Sequence, residues 1–231
     1  MNYLVDLFFP PSCLACSNTL HDNEVVICVE CRHHLPLTNY HFNEDRPLNR
    51  LFFGRVQFVD ATALFFFHKN SRVQKLLHHL KYNNQQSLGT ILGTWLGLEM
   101  KASMRFENID LIVPVPSHKK RIKKRGYNQV VPFAKAIANV LNIPSDDSIL
   151  IKIKNTKTQV FQTKEQRWKS VAHCFKLNKK ELIYKKHILI VDDLITTGST
   201  IESCSKALLD GCVKSLSLAA IAITSSMFRQ N

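Results

Sequence analysis

Two adjacent carboxylates followed by small hydroxyl and glycine residues form the strongest chemical signal in the chain. Residues 188 to 200 read ILIVDDLITTGST: an apolar run, then Asp192 and Asp193, then Thr196, Thr197, Gly198, Ser199 and Thr200. A turn of this composition at a helix start offers backbone N–H groups and hydroxyls to a phosphate, helped by the positive end of the helix. Negative charge beside a phosphate is repulsive, so the aspartates must serve another group. The neighbouring 2′ and 3′ hydroxyls of a ribose can donate to Asp192 and Asp193 while the 5′ phosphate lies in the turn, and a sugar phosphate therefore satisfies both halves. The competing reading is a polar strand-to-helix turn with Asp193 near a cap. A P-loop is excluded, because G-x-x-x-x-G-K is absent.

Two further clusters carry chemistry. Cys13, Cys16, Cys28 and Cys31 fall as C-x2-C-x11-C-x2-C, whereas Cys174, Cys204 and Cys212 are scattered. In a reducing compartment, paired knuckles of this kind converge on one tetrahedral ion more readily than they form disulfides. Four thiolates leave no open position for water, so the expected zinc is structural and not hydrolytic. His33 and His34 lie close enough to replace a ligand, but exposed histidines beside a knuckle fit better. The second cluster follows VPVP: six of the nine residues from Ser117 to Arg125 are basic, a density suited to a diphosphate, to the phosphodiesters of a strand, or simply to a solvated loop. Arg121 and Arg125 are the preferred phosphate ligands, since a guanidinium can bind two oxygens at once. Gly126 would let the chain approach the ligand, and Tyr127, Asn128 and Gln129 could stack on it or hydrogen-bond to it.

These groups need elements to hold them. Residues 57–67 have strand composition, and RVQKLLHHLKY (72–82) places Val73, Leu76, Leu77 and Leu80 on one helical face. A second helix is predicted over 86–102, a short strand over 110–116, and a helix over 128–143 with Val130, Ala134, Ile137, Ala138 and Leu141 as its stripe. ILIKI (149–153), HILIV (187–191) and SLSLAAIAI (215–223) are further strands, with STIESCSKALLD as a helix between the last two. The strand HILIV is read as ending before the acids, with DDLITTGST as the turn leaving it. Strands apolar throughout, alternating with helices, indicate an α/β fold with a mainly parallel twisted sheet covered on both faces. Ligands of such folds bind beyond the carboxyl ends of the strands, where the acid pair and the basic loop both fall. Phe65, Phe66, Phe67 and Trp95 read as core, not as a stacking platform. Lys81 and Tyr82 either face the site or form the tail of a surface helix.

The 231 residues are 45% hydrophobic, enough for one well-packed domain and a small satellite, which excludes a disordered or fibrous chain. Lysine and arginine outnumber the acids by 31 to 18, and the net charge of +13 favours polyanionic partners such as nucleic acid or phosphorylated small molecules. No apolar run approaches the roughly 18 residues that span a bilayer, and MNYLVDLFFPPSC lacks the positive charge of a secretory signal, so the expected location is cytoplasmic. The division read from composition is a knuckle module over 1–35, a polar linker with two prolines over 36–50, and a main domain over 51–231.

ILIVDDLITTGST resembles the binding motif for phosphoribosyl pyrophosphate (PRPP) in type I phosphoribosyltransferases. The resemblance implies Asp192 and Asp193 on the ribose hydroxyls, Thr196 to Thr200 around the 5′ phosphate, and pyrophosphate at the loop containing Ser117, Lys119, Lys120, Arg121, Lys123, Lys124, Arg125 and Gly126. It also implies a loop over 154–167 that closes on PRPP through Thr158, Gln159 and Arg167, although a plain exposed loop reads equally well. If the protein is catalytic, Asp192, Asp193, Arg121 and Arg125 do the work electrostatically with magnesium, and no side chain need act as nucleophile. More widely, CLAC and CVEC, the Lys81 and Tyr82 of HHLKY, VPVP with KKRIKKRGYNQ, and the acid-pair motif resemble, in the same order, the elements of the ComF/GntX-like family of competence-associated proteins. That family implies zinc knuckles joined to a phosphoribosyltransferase-type domain, other competence proteins as partners and, in some members, the handling of incoming single-stranded DNA. One departure is RWKSVAHCF, where Ser170, His173 and Cys174 stand in place of the family's Asn and small residues. Two functions follow: PRPP binding joined to single-stranded DNA handling, and transfer of phosphoribosyl to an unidentified small acceptor.

Overall fold

The computed structural model describes residues 10–82, 85–153 and 174–225. In chain order it contains α1 (Val29–His34), α2 (Pro47–Leu51), β1 (Ala61–Phe67), α3 (Arg72–Tyr82), α4 (Gln86–Ala102), β2 (Leu111–Pro114) and α5 (Lys119–Arg125). These are followed by α6 (Val130–Leu141), β3 (Leu150–Lys152), β4 (Phe175–Leu177), β5 (His187–Ile195), α7 (Ser199–Leu209) and β6 (Ser215–Thr224).

A strand that is apolar at every position must be covered on both faces, because its side chains alternate. β5 and β6 are apolar along most of their length and buried on both faces, and they form the centre of a four-stranded sheet in the order β1-β6-β5-β2 with every neighbour parallel. Leu189 and Val191 join a core with α3, α4 and α6 on one face, while Ile188 and Ile190 join a second core with α2 and α7 on the other. The expected α/β layering is therefore present. β3 does not enter this sheet; it pairs antiparallel with β4 in a separate two-stranded ribbon. Apolar composition marks a strand but does not name its partner.

The first face is closed by an unusually close helix pair. Gly89, Gly93 and Gly97 recur every four residues along α4, and a Cβ at Gly93 would lie 2.7 Å from that of Ala136 on α6. Small residues at this spacing let two helices touch along their backbones. The same core takes in Cys13, Ala15, Ile27, Cys28, Cys31 and Leu35, so the buried side of the knuckles packs on α3 and α4. Residues 36–50, read as a linker, lie against the sheet: Leu37 bridges to Phe65, Thr38 N–H donates to the Leu64 carbonyl at 3.0 Å, and Tyr40, His41 and Leu48 are buried. Arg105 donates to Asp60 at 2.8 Å and to the carbonyls of Tyr40 and Asn43, which fastens this stretch to the domain. Phe65 packs edge-on against Trp95 at 5.6 Å in the core, as its composition suggested.

Two buried histidines give the fold a pH dependence. His41 lies 3.6 Å from Glu99, and the His187 ring lies 2.9 Å from the Ser217 hydroxyl. Burial pushes both below the ordinary histidine value, against the partly restoring pull of Glu99 on His41 and of the Asn108 backbone and Asp110 on His187. The folded state then binds fewer protons than the unfolded chain, so this contribution is intact above about pH 6.5 and is lost as pH falls below it, by up to about 1.4 kcal/mol per unit for each ring. Thermal unfolding followed from about pH 7.5 to about pH 5.5 should show a falling midpoint, and His187→Gln should flatten that fall.

Candidate functional site

β5 does not stop at Val191. Its backbone ladder with β6 continues through Asp192 opposite Ala220, Leu194 opposite Ala222 and Ile195 opposite Ile223. The acids therefore belong to the last turns of the strand and not to the loop, because strand pairing is made by the main chain and tolerates polar side chains at its end. Alternation then points the two carboxylates to opposite faces. Asp193 turns towards α3 and α6, where Lys81 Nζ lies 3.1 Å away and Gln129 Nε2 donates at 3.0 Å. Asp192 turns towards α7 and accepts the Asp193 N–H at 2.8 Å.

Their environments separate the two carboxyls. Burial, followed by the charge of Asp193, holds Asp192 well above the usual carboxylate range. Burial also opposes the Asp193 anion, but Lys81, with Gln129, overcomes it and holds this carboxyl below its ordinary value. Like charges a few ångströms apart in a buried site ionise in sequence, so Asp193 is the resident anion and Asp192 the one that retains a proton longer. Burial and the nearby Asp192 also push the Cys204 thiol on α7 well up. Lys81 thus faces the site, which was one of its two readings; the other, a surface helix tail, suits Tyr82, which is exposed.

After Ile195 the chain turns through Thr196, Thr197 and Gly198 into α7. Gly198 has φ +82°, and a Cβ there would lie 2.7 Å from the Phe52 ring. Ser199 N–H donates to Thr197 Oγ1 at 3.4 Å, the two hydroxyls stand 3.0 Å apart, and the Thr224 hydroxyl donates to the Thr196 carbonyl at 3.0 Å. From behind, Arg55 donates to the Thr197 carbonyl at 3.4 Å, pairs with Glu202 and lies 5.1 Å over the Phe52 ring. Thr196 and Thr197 are exposed and Ser199 and Thr200 half-buried at the N-terminus of an eleven-residue helix, an arrangement that favours an anion. Sequence reasoning missed Phe52 and Arg55. Nothing local marks them, since their contacts reach the turn from the other end of the chain.

The basic run read as a loop is the helix α5, started by His118, whose Nδ1 accepts the Lys120 N–H at 3.2 Å, and ended at Gly126 in a left-handed conformation. Cations at Lys123, Lys124 and Arg125 suit the negative end of a helix. Arg125 alone bends inward, donating to Gln129 Oε1 at 2.9 Å and lying 5.4 Å over the Tyr82 ring. Gln129 thereby relays Arg125 to Asp193. Arg121 stays exposed with Lys119, Lys120, Lys123 and Lys124, and none of these five lies in an ion pair among the described residues. The segment is fixed below by Asn128, which donates to the Val115 carbonyl at 3.0 Å and accepts from Ser117, and by the Tyr127 hydroxyl, which donates to the Leu80 carbonyl at 2.6 Å. Gly126 acts as the helix stop, and space beyond its Cα is open.

At the knuckles, the Sγ atoms of Cys13, Cys16, Cys28 and Cys31 all lie within 4.8 Å of one another. Backbone N–H groups of Ala15 and Cys28 point at Cys13 Sγ at 3.4 and 3.3 Å, and that of Asn18 points at Cys16 Sγ at 3.4 Å. Burial opposes the Cys13 thiolate, but hydrogen bonds from the Cys28, Cys16 and Ala15 backbone prevail and bring its pKa to about 7. Converging thiols with N–H donors aimed at sulfur fit a tetrahedral zinc ion, which these four residues can hold with no position left for substrate. His33 and His34 are exposed outside this set.

Thr158, Gln159 and Arg167, and the departure at Ser170 and His173, lie outside the described residues; Cys174 is buried. Among the described residues, no helix is long and apolar enough to cross a membrane.

Comparison with known proteins agrees with this geometry. The phosphoribosyl transferase domain model matches residues 128–226, which include α6, the acid pair and the Thr-Gly-Ser-Thr turn. Competence protein F of Haemophilus influenzae is 27% identical over 211 residues, covering 87% of this chain and 92% of that protein. DNA utilization protein YhgH of Escherichia coli is 29% identical over 137 residues, 58% of this chain and 60% of its own length. Competence protein ComFC of Bacillus subtilis is 31% identical over 100 residues, 43% of this chain and 38% of its own. A parallel-sheet α/β fold, a phosphoribosyl transferase domain match and a four-cysteine cluster at the amino-terminal end thus occur together in a chain that is similar to competence protein F over most of its length and to YhgH and ComFC over part of theirs.

Proposed function

We propose that the protein binds PRPP at the carboxyl end of β5 and acts in DNA uptake, handling single-stranded DNA through the exposed cations of α5. The observation that carries this reading is the acid pair closing a buried strand directly before a glycine turn that opens a helix. The turn takes the 5′ phosphate on the N–H groups and hydroxyls of Thr197 to Thr200, and the carboxylates take the ribose hydroxyls. Lys81 and Gln129 keep Asp193 ionised and fixed, so the sugar meets an acceptor already oriented. Arg125 lies within reach of the pyrophosphate, while Arg121 and the four lysines add positive potential outside the pocket. Asp192 and Asp193 would also hold the sugar side of a magnesium complex, and the ion would neutralise charge on the departing pyrophosphate. The names of the relatives support a DNA-related role; other competence proteins as partners and the cytoplasm as location are part of the proposal.

Calorimetric titration of PRPP with and without magnesium tests the pocket. Binding should require magnesium and weaken at least about a hundredfold in the Asp192→Asn, Asp193→Asn double variant, since the Asp193 anion and the Asp192 carboxyl beside it are both lost. Equal affinity in the folded variant would remove the acid pair from the site. Pyrophosphate release on addition of candidate acceptors then separates a transferase from a binding module.

A further inference from the structure

A polar concavity is lined by α2 and the residues that flank it. It is an open groove of about 670 Å³ formed by residues 44 to 58, with Arg46, Arg50 and Arg55 on its walls and Phe53 beside them. Phe53 is 88% exposed, the most exposed large apolar side chain among the described residues. A phenyl ring left in water among guanidinium groups is poorly placed for the fold and well placed for a stacked ligand.

The three arginines are not equivalent. Arg46 donates to the Val59 carbonyl at 3.1 Å and stands 3.8 Å from Asp60, and Arg55 is engaged with Thr197 and Glu202. Both are held as fixed positive charge on the walls. Among the described residues Arg50 pairs only with Asp45, at 3.3 Å, with both side chains about three-quarters exposed. A pair so open to water contributes little and can be exchanged for a phosphate. Glu44 and Asp45 also line the groove, so its net charge is small and it would not hold a polyanion by charge alone. A ring, one free guanidinium and hydrogen-bonding walls instead suit an unpaired base with one flanking phosphate.

We infer that the groove around Phe53 is a base-stacking site for single-stranded DNA, in which Phe53 takes one base and Arg50 the neighbouring phosphate. The inference rests on the single-strand reading given above, and it adds to the charge of α5 a place where unpaired bases are told from paired ones. A duplex buries its base faces and could not use Phe53, so the groove would favour single strands where α5 alone would not. Arg55 joins the two places, since it lines the groove and donates to the Thr197 carbonyl of the phosphate turn.

The test is fluorescence anisotropy with a labelled oligothymidylate of about 16 nucleotides and its duplex, on the zinc-loaded protein, Phe53→Ala, Arg50→Gln and the Lys119, Lys120, Lys123, Lys124→Gln variant. The expected result is about tenfold weaker single-strand binding for Phe53→Ala, unchanged duplex binding and unchanged PRPP heats, with Arg50→Gln reducing the salt dependence. Free thymidine monophosphate should compete only weakly. Undiminished single-strand binding in Phe53→Ala and Arg50→Gln, with loss in the lysine variant, would overturn the groove and leave the single-strand reading standing on α5. Tight competition by the free nucleotide would overturn the strand as occupant in favour of a mononucleotide. No oligothymidylate binding by wild-type protein would overturn both the groove and the single-strand reading.

Discussion

Replacing Gly198 with alanine is expected to abolish measurable PRPP binding and to lower stability by about 2–5 kcal/mol. Two independent costs add. At φ +82° an alanine is held in the left-handed region, a strain of about 1–2 kcal/mol. Its Cβ would also stand 2.7 Å from the Phe52 ring, which is fully buried against Phe58 and cannot swing aside, an overpacking cost of about 1–3 kcal/mol. Relief of either requires the turn to shift, and that displaces the N–H groups meant for the phosphate. Denaturant unfolding reads the first effect and calorimetry with PRPP the second. In a Phe52→Ala, Gly198→Ala double variant the steric part should disappear while the backbone strain remains, so stability loss should be less than the sum of the single changes. Wild-type affinity in the single variant would show that the turn does not hold the ligand.

Removal of zinc should have the other large effect. Purified protein is expected to hold about one equivalent, and chelation or Cys31→Ser should cost several kcal/mol and expose apolar surface well beyond residue 35. The reason is packing: Cys31 and Cys28 lie in the same buried cluster as Leu76, Leu77, Leu80 and Leu92. The rest of the segment has little other apolar support of its own. Dye binding and thermal unfolding before and after chelation measure this. An apoprotein with an unchanged midpoint, or metal analysis well below one equivalent, would refute the structural role.

The parts of the fold that were legible in the sequence are those whose signal is local. α3 and α4 occupy 72–82 and 86–102 as expected, and Val73, Leu76, Leu77 and Leu80, the face read for α3, are buried. The four cysteines converge because spacing alone sets two knuckles. The misreadings come where the main chain or a distant contact decides. β5 passes through Asp192 and Asp193 because its partner β6 continues beside it, which polarity along one strand cannot reveal. α5 has a single apolar residue, Ile122, so it carries no amphipathic stripe; capping by His118 and Gly126 defines it instead. β3 looked like a strand of the main sheet because nothing in ILIKI distinguishes a ribbon from a core strand. Around the site, the acid pair and the turn were legible from residue type, while Phe52 and Arg55, which brace that turn, were not, since sequence gives no measure of which distant side chain fills the space behind a glycine.

The sharing of one core between the knuckles and α3 and α4 bears on how such a chain can change by descent. Insertion, loss or exchange of segments succeeds where few buried contacts cross the join. Here a lineage that lost residues 13 to 31 would open the buried cluster that they share with α3 and α4, and α3 carries the Lys81 that pairs with Asp193. The cysteines are therefore kept in step with helices they do not neighbour in sequence, and a recombinant that took its metal module from one relative and its sheet from another would have to match them along that seam.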